Sequence, residues 1–551
     1  MRRLAPIFII LSLPHLANAQ VPYVETVEVR VTNVDVIVTD RAGKPVTGLG
    51  KSDFEVLEDG KPQAITNLYE VRSDSSGAAS GQTRAAEPPQ ELRRRRFVLF
   101  LDSFSLGLER NGVIGSMRTF IDQQMQPGDE ATLVSWNRRM EIIVPFTGEK
   151  RALLSGLETL SKRSAAGATL QADKLRVYQR AMDVYRDNIS IQARGGGARM
   201  ESSLANRKVI DSVATFVQQW SEEVRDHQRA LYQSLHVMLT SLGGVEGRKI
   251  MLFAGTYMPD RPGMEIYEML SRSLPNFEVY AGPGVARLKS QSEEIQQLAR
   301  HANAVGVTMY TIYPEPADND PSKEGANFVE FANSATSLQT LSRVTGGTMV
   351  AKTWNFDAAL RAITADLGSY YSIGYRSTRD DKPGEHAIIV RTKRADYRVR
   401  TRKSYVIRSA DEQVGDNVVA NIVHPIVKGD IPVTLKVGAP QAAGGHYNVI
   451  LDVSFPAAAV TTLPEADNKV AGGFTIYIAA GTPLGAFSPV SKRPEVFRVP
   501  AQTQKAMVAQ NYPLVLHAQV MVGKGENVIS VGVVDQLSST AGFARATVMA
   551  Q

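Results

Sequence analysis

Among side chains able to act as nucleophiles, bases or metal ligands, cysteine is missing altogether, which removes disulfides, thiolate chemistry, Fe–S clusters and cysteine-based zinc sites. The histidines His15, His227, His236, His301, His386, His424, His446 and His517 are scattered, and no H-E-x-x-H pair offers two imidazoles on one helix face. No G-x-S-x-G elbow follows a strand and no Walker-type glycine loop occurs. His301 reads as a packing or surface residue, and the carboxylate pairs Glu222-Glu223 and Asp380-Asp381 lie in charged, solvated stretches. One carboxylate stands apart: Asp102 ends the apolar run Phe97-Val98-Leu99-Phe100-Leu101. Such a run marks a strand buried on both faces, and the carboxyl ends of such strands are where open α/β sheets gather ligands.

The elements that must position Asp102 follow from periodicity. After the strand come a helical pattern at Val113 to Gln124, a strand at Ala131 to Trp136, a shorter one at Ile142 to Val144 and a helix at Lys150 to Ser161. Strands at Lys249 to Phe253 and Val307 to Tyr313 alternate with helices at Ser290 to Val305, Leu338 to Val344 and Phe356 to Leu367, and a last strand is predicted at Tyr370 to Tyr375. This alternation predicts an α/β, doubly wound, mainly parallel sheet. Tyr370, Tyr371 and Tyr375 read as buried packing on that last strand. Two long helical patterns, carrying Leu175, Tyr178, Met182, Tyr185 and Ile189, then Val209, Val213, Phe216, Val217 and Trp220, predict a helical insertion over about 170–228 whose apolar stripe is core.

Flanking regions read differently. Val27, Val29 and Val31, then Val34, Val36 and Val38 after a slip at Asn33, alternate as a strand with a bulge or turn near Asn33, and residues 20–72 form a small N-terminal β module. Residues 73–95, rich in Ser, Gly, Ala and Pro, form a linker closed by Arg93-Arg94-Arg95-Arg96. The α/β domain spans 96–408; beyond it helical patterns vanish, and β-rich runs from Val433 to Val548 predict a C-terminal antiparallel β-sandwich over 409–551.

With 551 residues, 43% hydrophobic and 21% charged, the chain is a multidomain globular protein. Its net charge of +6 is spread thinly and implies no nucleic-acid partner. Met1-Arg2-Arg3, the apolar run Leu4 to Leu13 and Ala17-Asn18-Ala19 have the form of a secretory signal peptide over 1–19, and no later segment is long and apolar enough to span a membrane. The expected location is periplasmic or secreted.

The α/β portion resembles the von Willebrand factor type A domain, in the arrangement of the VWFA-related proteins abundant in Acidobacteria. The resemblance rests on the strand Phe97 to Asp102, on Gln126-Pro127-Gly128-Asp129, on Gly247-Arg248-Lys249-Ile250, on the stretch His301 to Tyr310, on Thr345-Gly346-Gly347-Thr348 and on Asp366 to Tyr375. Val38-Thr39-Asp40 through Asp53 to Gly60 is similar to that family's N-terminal β module. The likeness covers roughly residues 24–405.

The resemblance implies a metal-ion-dependent adhesion site, in which D-x-S-x-S, a loop Thr and a later Asp hold Mg²⁺ in an oxygen octahedron. Asp102 matches; positions 104 and 106 are Phe104 and Leu106, so Ser103 and Ser105 are each one place out of register. Thr169 of Gly167-Ala168-Thr169 supplies the loop Thr, whereas Gly255-Thr256 follows the central strand where an acid is required, and Asp260 comes several residues later. The metal set is therefore degenerate: Asp102, Ser103, Ser105 and Thr169, with no resident cofactor expected beyond a residual affinity for Mg²⁺. The function implied is non-enzymatic protein binding, in adhesion or assembly. The rivals are a structural component of an envelope assembly, marked by apolar patches on the end modules, and a hydrolase whose site is assembled from distant residues.

Overall fold

The computed structural model describes residues 31–72, 94–107, 109–163, 167–194, 199–273, 284–314, 324–353, 356–377, 384–425, 429–482 and 487–551. The predicted signal peptide and most of the 73–95 linker lie outside the described residues.

Phe97 to Leu101 become the core of the strand Arg95–Asp102, every residue of which is buried. Because strand side chains alternate between faces, this strand feeds two cores at once. Phe97, Leu99 and Leu101 pack with Ile250, Leu252 and the helices Arg110–Gln123, Lys150–Ser161 and Phe356–Gly368. Val98 and Phe100 pack with Met251, Phe253 and the helices Arg199–Ser241, Met264–Ser273, Ser292–Ala304 and Glu324–Val344. The six-stranded sheet runs, in space, Met349–Thr353, Val307–Pro314, Arg248–Ala254, Arg95–Asp102, Glu130–Trp136, Met140–Thr147. All neighbours are parallel except the last pair. In chain order this is the doubly wound pattern 3-2-1-4-5-6, whose direction of winding reverses between Arg95–Asp102 and Arg248–Ala254.

The second helical pattern does not stop at 228. Arg199–Ser241 is one helix of 43 residues, about 65 Å long at 1.5 Å per residue. Its C-terminal half, through Leu231, Leu235, Met238 and Leu239, covers the sheet as the crossover into Arg248–Ala254. Leu170, Met182, Val213, Val217 and Trp220 are buried in the same core, so these members of the stripe are packing surface; the side chains of Tyr185, Ile189 and Val209 lie outside the described residues.

The strand around Tyr370–Tyr375 is a correction. Ser369–Arg376 does not extend the parallel sheet; it pairs antiparallel with Val31–Val36 on one side and Ile65–Arg72 on the other. Residues 369–407 thus complete the N-terminal β module as two four-stranded sheets, around Val34, Val36, Phe54, Val56, Tyr371, Ile373 and Tyr375. A strand buried on both faces has the same apolar run in either setting, so periodicity could not choose its neighbours. No bulge interrupts the pairing at Asn33; the strand Val31–Thr39 instead changes partner after Val36, from Ser369–Arg376 to Arg398–Arg400.

Beyond residue 409 the chain opens with a helix, not a strand. Ala410–Val423 is capped by the reciprocal Ser409 and Glu412 hydrogen bonds. Its Val418 and Ile422 pack on Tyr477, Ala479 and Val528. The strands that follow form two antiparallel sheets, centred on His446–Pro456 and Lys469–Gly481, facing each other across Val449, Leu451, Val453, Ile476 and Val531. No helix among the described residues is long and apolar enough to cross a membrane.

Candidate functional site at the switch point

Asp102 is the last residue of its strand and lies where the winding reverses, with 1% of its surface exposed. Its Oδ1 accepts hydrogen bonds from the amides of Phe104 (3.2 Å) and Ser105 (3.1 Å). The Ser105 hydroxyl donates to the Asp102 carbonyl (3.4 Å) and accepts from the Thr256 amide (3.0 Å), and the Thr256 hydroxyl donates to the Ser105 carbonyl (2.8 Å). The loops after the two central strands are therefore laced directly together. Gly255 permits that approach, because a Cβ there would stand 3.0 Å from the Asp102 Cβ and 3.2 Å from its Oδ2.

Of the other predicted site residues, Ser103 shares a hydrogen bond with Ser135 of the neighbouring strand (2.8 Å between hydroxyls). Thr169 is exposed in the first turn of Gly167–Arg194, and among the described residues no hydrogen bond joins it to Asp102, Ser103 or Ser105. Asp260 works elsewhere: its Oδ1 accepts from the hydroxyls of Ser290 (2.7 Å) and Ser292 (2.8 Å) and the Gln291 amide (3.1 Å), securing the start of Ser292–Ala304. The structure thus brings Asp102 and Ser105 together and adds Thr256.

This arrangement does not fit a Mg²⁺ ion. A hard dication requires ionised carboxylates with free oxygens. Here Oδ1 already takes two amides, both serine hydroxyls are engaged, and a glycine holds the place of the second acid. Burial also pushes the Asp102 carboxyl up to about 6, against the opposing hydrogen bonds from Ser105 and Phe104. Among the described residues no group of three or more His, Asp or Glu side chains is placed to hold a metal. Calorimetric titration with Mg²⁺ or Mn²⁺ is expected to give no saturable heat, in wild type or in Asp102→Asn.

The same burial makes a stability prediction. Asp102 titrates at 3.8 when unfolded and at about 6 when folded, so between those values the folded state holds the extra proton and stability falls as pH rises. Asp102→Asn keeps an acceptor for the amides without the charge. It should match wild type below pH ~4 and exceed it by about 2–3 kcal/mol above pH ~7. Denaturant titrations across that range check this, and parallel curves would disprove it.

A second buried polar group lies beyond the end of Arg248–Ala254, and nothing in the sequence signalled it. Glu265 Oε1 accepts from the Tyr257 hydroxyl (2.5 Å) and the Trp220 indole (3.4 Å), while Oε2 has no partner. Burial, then the neighbouring Glu330, raise its pKa. Glu330 forms a buried ion pair with Lys174 and accepts from the Gln171 amide group (3.3 Å). Lys174 and Trp220 come from the long helical pair, so this network clips that pair to the helices Met264–Ser273 and Glu324–Val344. Among the described residues no histidine hydrogen-bonds the Asp102 carboxylate. His227 stacks on the Phe104 ring, with centroids 4.9 Å apart, and burial lowers its pKa. His301 stacks on His236, hydrogen-bonds Thr240 (3.0 Å) and is held neutral by burial, at about 4.

The fold and site define a mixed α/β protein with a mainly parallel, doubly wound sheet, a locked carboxylate at its switch point and antiparallel β modules at both ends. No family model matches the chain, and no curated protein does. Among solved structures it is similar to an aerotolerance-related membrane protein of Bacteroides fragilis, at 10% identity and TM-score 0.22 over 50% of this chain and 98% of that one. It is similar to BatB of Bacteroides thetaiotaomicron at 9% identity and TM-score 0.20, over 50% of this chain and 96% of that one. The manganese-loaded TRAP protein of Plasmodium vivax matches at 9% identity and TM-score 0.23, over 79% of this chain and 96% of that one.

Proposed function

We propose that this is a periplasmic or secreted, non-catalytic protein-binding protein of von Willebrand factor type A build, of the acidobacterial kind, acting in adhesion or assembly. Its units are the β module of residues 31–72 and 369–407, the α/β domain between them, and the sandwich from 409 onward. The switch point serves as a metal-free brace between the two central loops, and the partner docks on the C-terminal sandwich.

One observation carries the docking assignment. Seven large hydrophobic side chains stand exposed among the described residues, and six of them, Ile450, Val496, Val508, Tyr512, Val515 and Met549, lie in the C-terminal unit. Ile450 and Val515 project from adjacent strands of one sheet. The strand Pro513–Val522 pairs only with His446–Pro456 among the described strands, and its ten residues, PLVLHAQVMV, include a single ionisable side chain, His517. By contrast the edge strand Ser491–Pro500 of the facing sheet is guarded by Lys492, Arg493, Pro494, Glu495 and Arg498. An apolar edge without charged guards suits a partner that adds a strand.

Photo-crosslinking in intact cells tests this. A benzophenone side chain at Tyr512 is expected to capture one discrete protein, and Val515→Lys to abolish the capture. Crosslinks arising instead from Arg261, beside the switch-point loops, would move the docking face there. Absence of crosslinks at both would leave the rival structural role.

A further inference from the structure

At the opposite end of the parallel sheet, beneath the starts of Arg248–Ala254 and Val307–Pro314, a cavity of about 260 Å³ opens between the sheet and the N-terminal β module. Its walls gather Arg248, Lys249 and Arg402 against a single carboxylate, Asp35. Arg248 lies nearest the counter-charge: its Nε forms an ion pair with Asp35 Oδ2 at 3.0 Å, without hydrogen-bond alignment, and its guanidinium lies 3.9 Å from the centre of the Tyr370 ring. Arg402 shares the field of the same Asp35, which leaves one carboxylate among three cations. Lys249 Nζ donates only to the Leu242 carbonyl (3.2 Å), and among the described residues no carboxylate pairs with it. Arg402 donates through Nη2 to the Asn33 carbonyl, but its buried Nε has no acceptor.

A buried donor without an acceptor, and three cations sharing one carboxylate, are costly, and the cost is reduced by a ligand that supplies acceptors and negative charge. Burial, reinforced by repulsion from Arg402, Arg408 and Arg96, pulls Lys249 down to about 7, which marks the same excess of positive charge. A tetrahedral oxyanion has oxygens enough for both cations, and a guanidinium and an ammonium together are a phosphate-binding pair. The volume exceeds that of a bare phosphate, and Ile37 and Val307 provide an apolar wall for the remainder.

We propose that this cavity binds a small phosphomonoester, its phosphoryl group held by Lys249 and Arg402 and its organic part against Ile37 and Val307. The site lies between the two units and is independent of the partner surface on the sandwich. Bound ligand would bridge the base of the sheet to the β module and tighten their packing.

The test is calorimetric titration of the full chain, at low salt, with inorganic phosphate and with glycerol 3-phosphate. Saturable binding weakened at least tenfold in both Arg402→Gln and Lys249→Gln is expected. Tighter binding of glycerol 3-phosphate than of phosphate assigns the ester as ligand; equal binding assigns free phosphate and overturns the organic half of the proposal. No saturable binding of either, or binding undiminished in the variants, overturns it entirely. Lys249→Gln keeps a donor for Leu242, so it decides the matter should Arg402→Gln fail to fold.

Discussion

Asp129→Ala is expected to destabilise the α/β domain by about 3–5 kcal/mol, because it strands a buried guanidinium. Arg95 and Asp129 are joined by two parallel hydrogen bonds, Nε to Oδ1 at 2.9 Å and Nη2 to Oδ2 at 2.6 Å, with side chains only 7% and 4% exposed. Asp129 Oδ2 also accepts from the Gln126 amide (2.7 Å), closing the Gln126-Pro127-Gly128-Asp129 turn, where Gly128 takes a φ of +90°. One carboxylate thus ties the entry of the first central strand to the turn leading into its neighbour. Removing it loses the turn's acceptor and leaves the Arg95 charge unpaired in the same place. The double variant Arg95→Met with Asp129→Leu removes both charges and should recover most of the loss, since replacing a buried pair by apolar side chains is often neutral. Guanidinium unfolding followed by Trp136 fluorescence measures both. A double variant as unstable as Asp129→Ala would mean that the turn, not the stranded charge, sets the cost.

Tyr371→Ala should cost about 3–5 kcal/mol, the usual penalty for deleting a buried aromatic ring, and the damage should fall on the N-terminal β module. Tyr371 is 1% exposed, its ring lies 5.2 Å from that of Phe54, and its hydroxyl donates to the Val46 carbonyl (3.0 Å) and accepts from the Leu49 amide (3.1 Å). All three partners lie more than 300 residues earlier in the chain. Hydrogen exchange is the discriminating measurement. Protection should drop in Val31–Thr39 and Ile65–Arg72 while Arg95–Asp102 keeps its own. Loss of protection in the parallel sheet first would contradict the assignment of Ser369–Arg376 to the β module.

The strand ending at Asp102 and the strand carrying Tyr371 show where sequence reading succeeds and where it stops. The apolar run 97–101 could be only a strand buried on both sides, and the carboxylate ending it had to fall at the sheet's carboxyl edge. Local period and local punctuation carry that information, because side-chain burial repeats every two or 3.6 residues whatever the partner. The helix Ala410–Val423 departs from the all-β expectation for this region although its capping signal, Ser409 and Glu412, is present, because Gly415 and the β-branched residues mask the helical period.

Chain-distant choices were not legible. Tyr370 to Tyr375 has one apolar pattern and two compatible sheets, and only the pairing with Val31–Val36 and Ile65–Arg72 decides between them. Whether Asp102 faces a metal or its own loop depended on Gly255 and Thr256 arriving from the neighbouring central strand. The basal cavity needs Asp35, Lys249, Asn303 and Arg402, four residues with no shared motif. Composition and periodicity were enough to establish a multidomain α/β chain without thiol chemistry and to locate its singular carboxylate. The tertiary structure alone decided which strands became neighbours, that this carboxylate is locked by amides, and that three cations and one carboxylate meet beneath the sheet. The physical reason is that burial is a property of each residue's local pattern, whereas pairing, charge balance and desolvation belong to contacts between residues hundreds of positions apart.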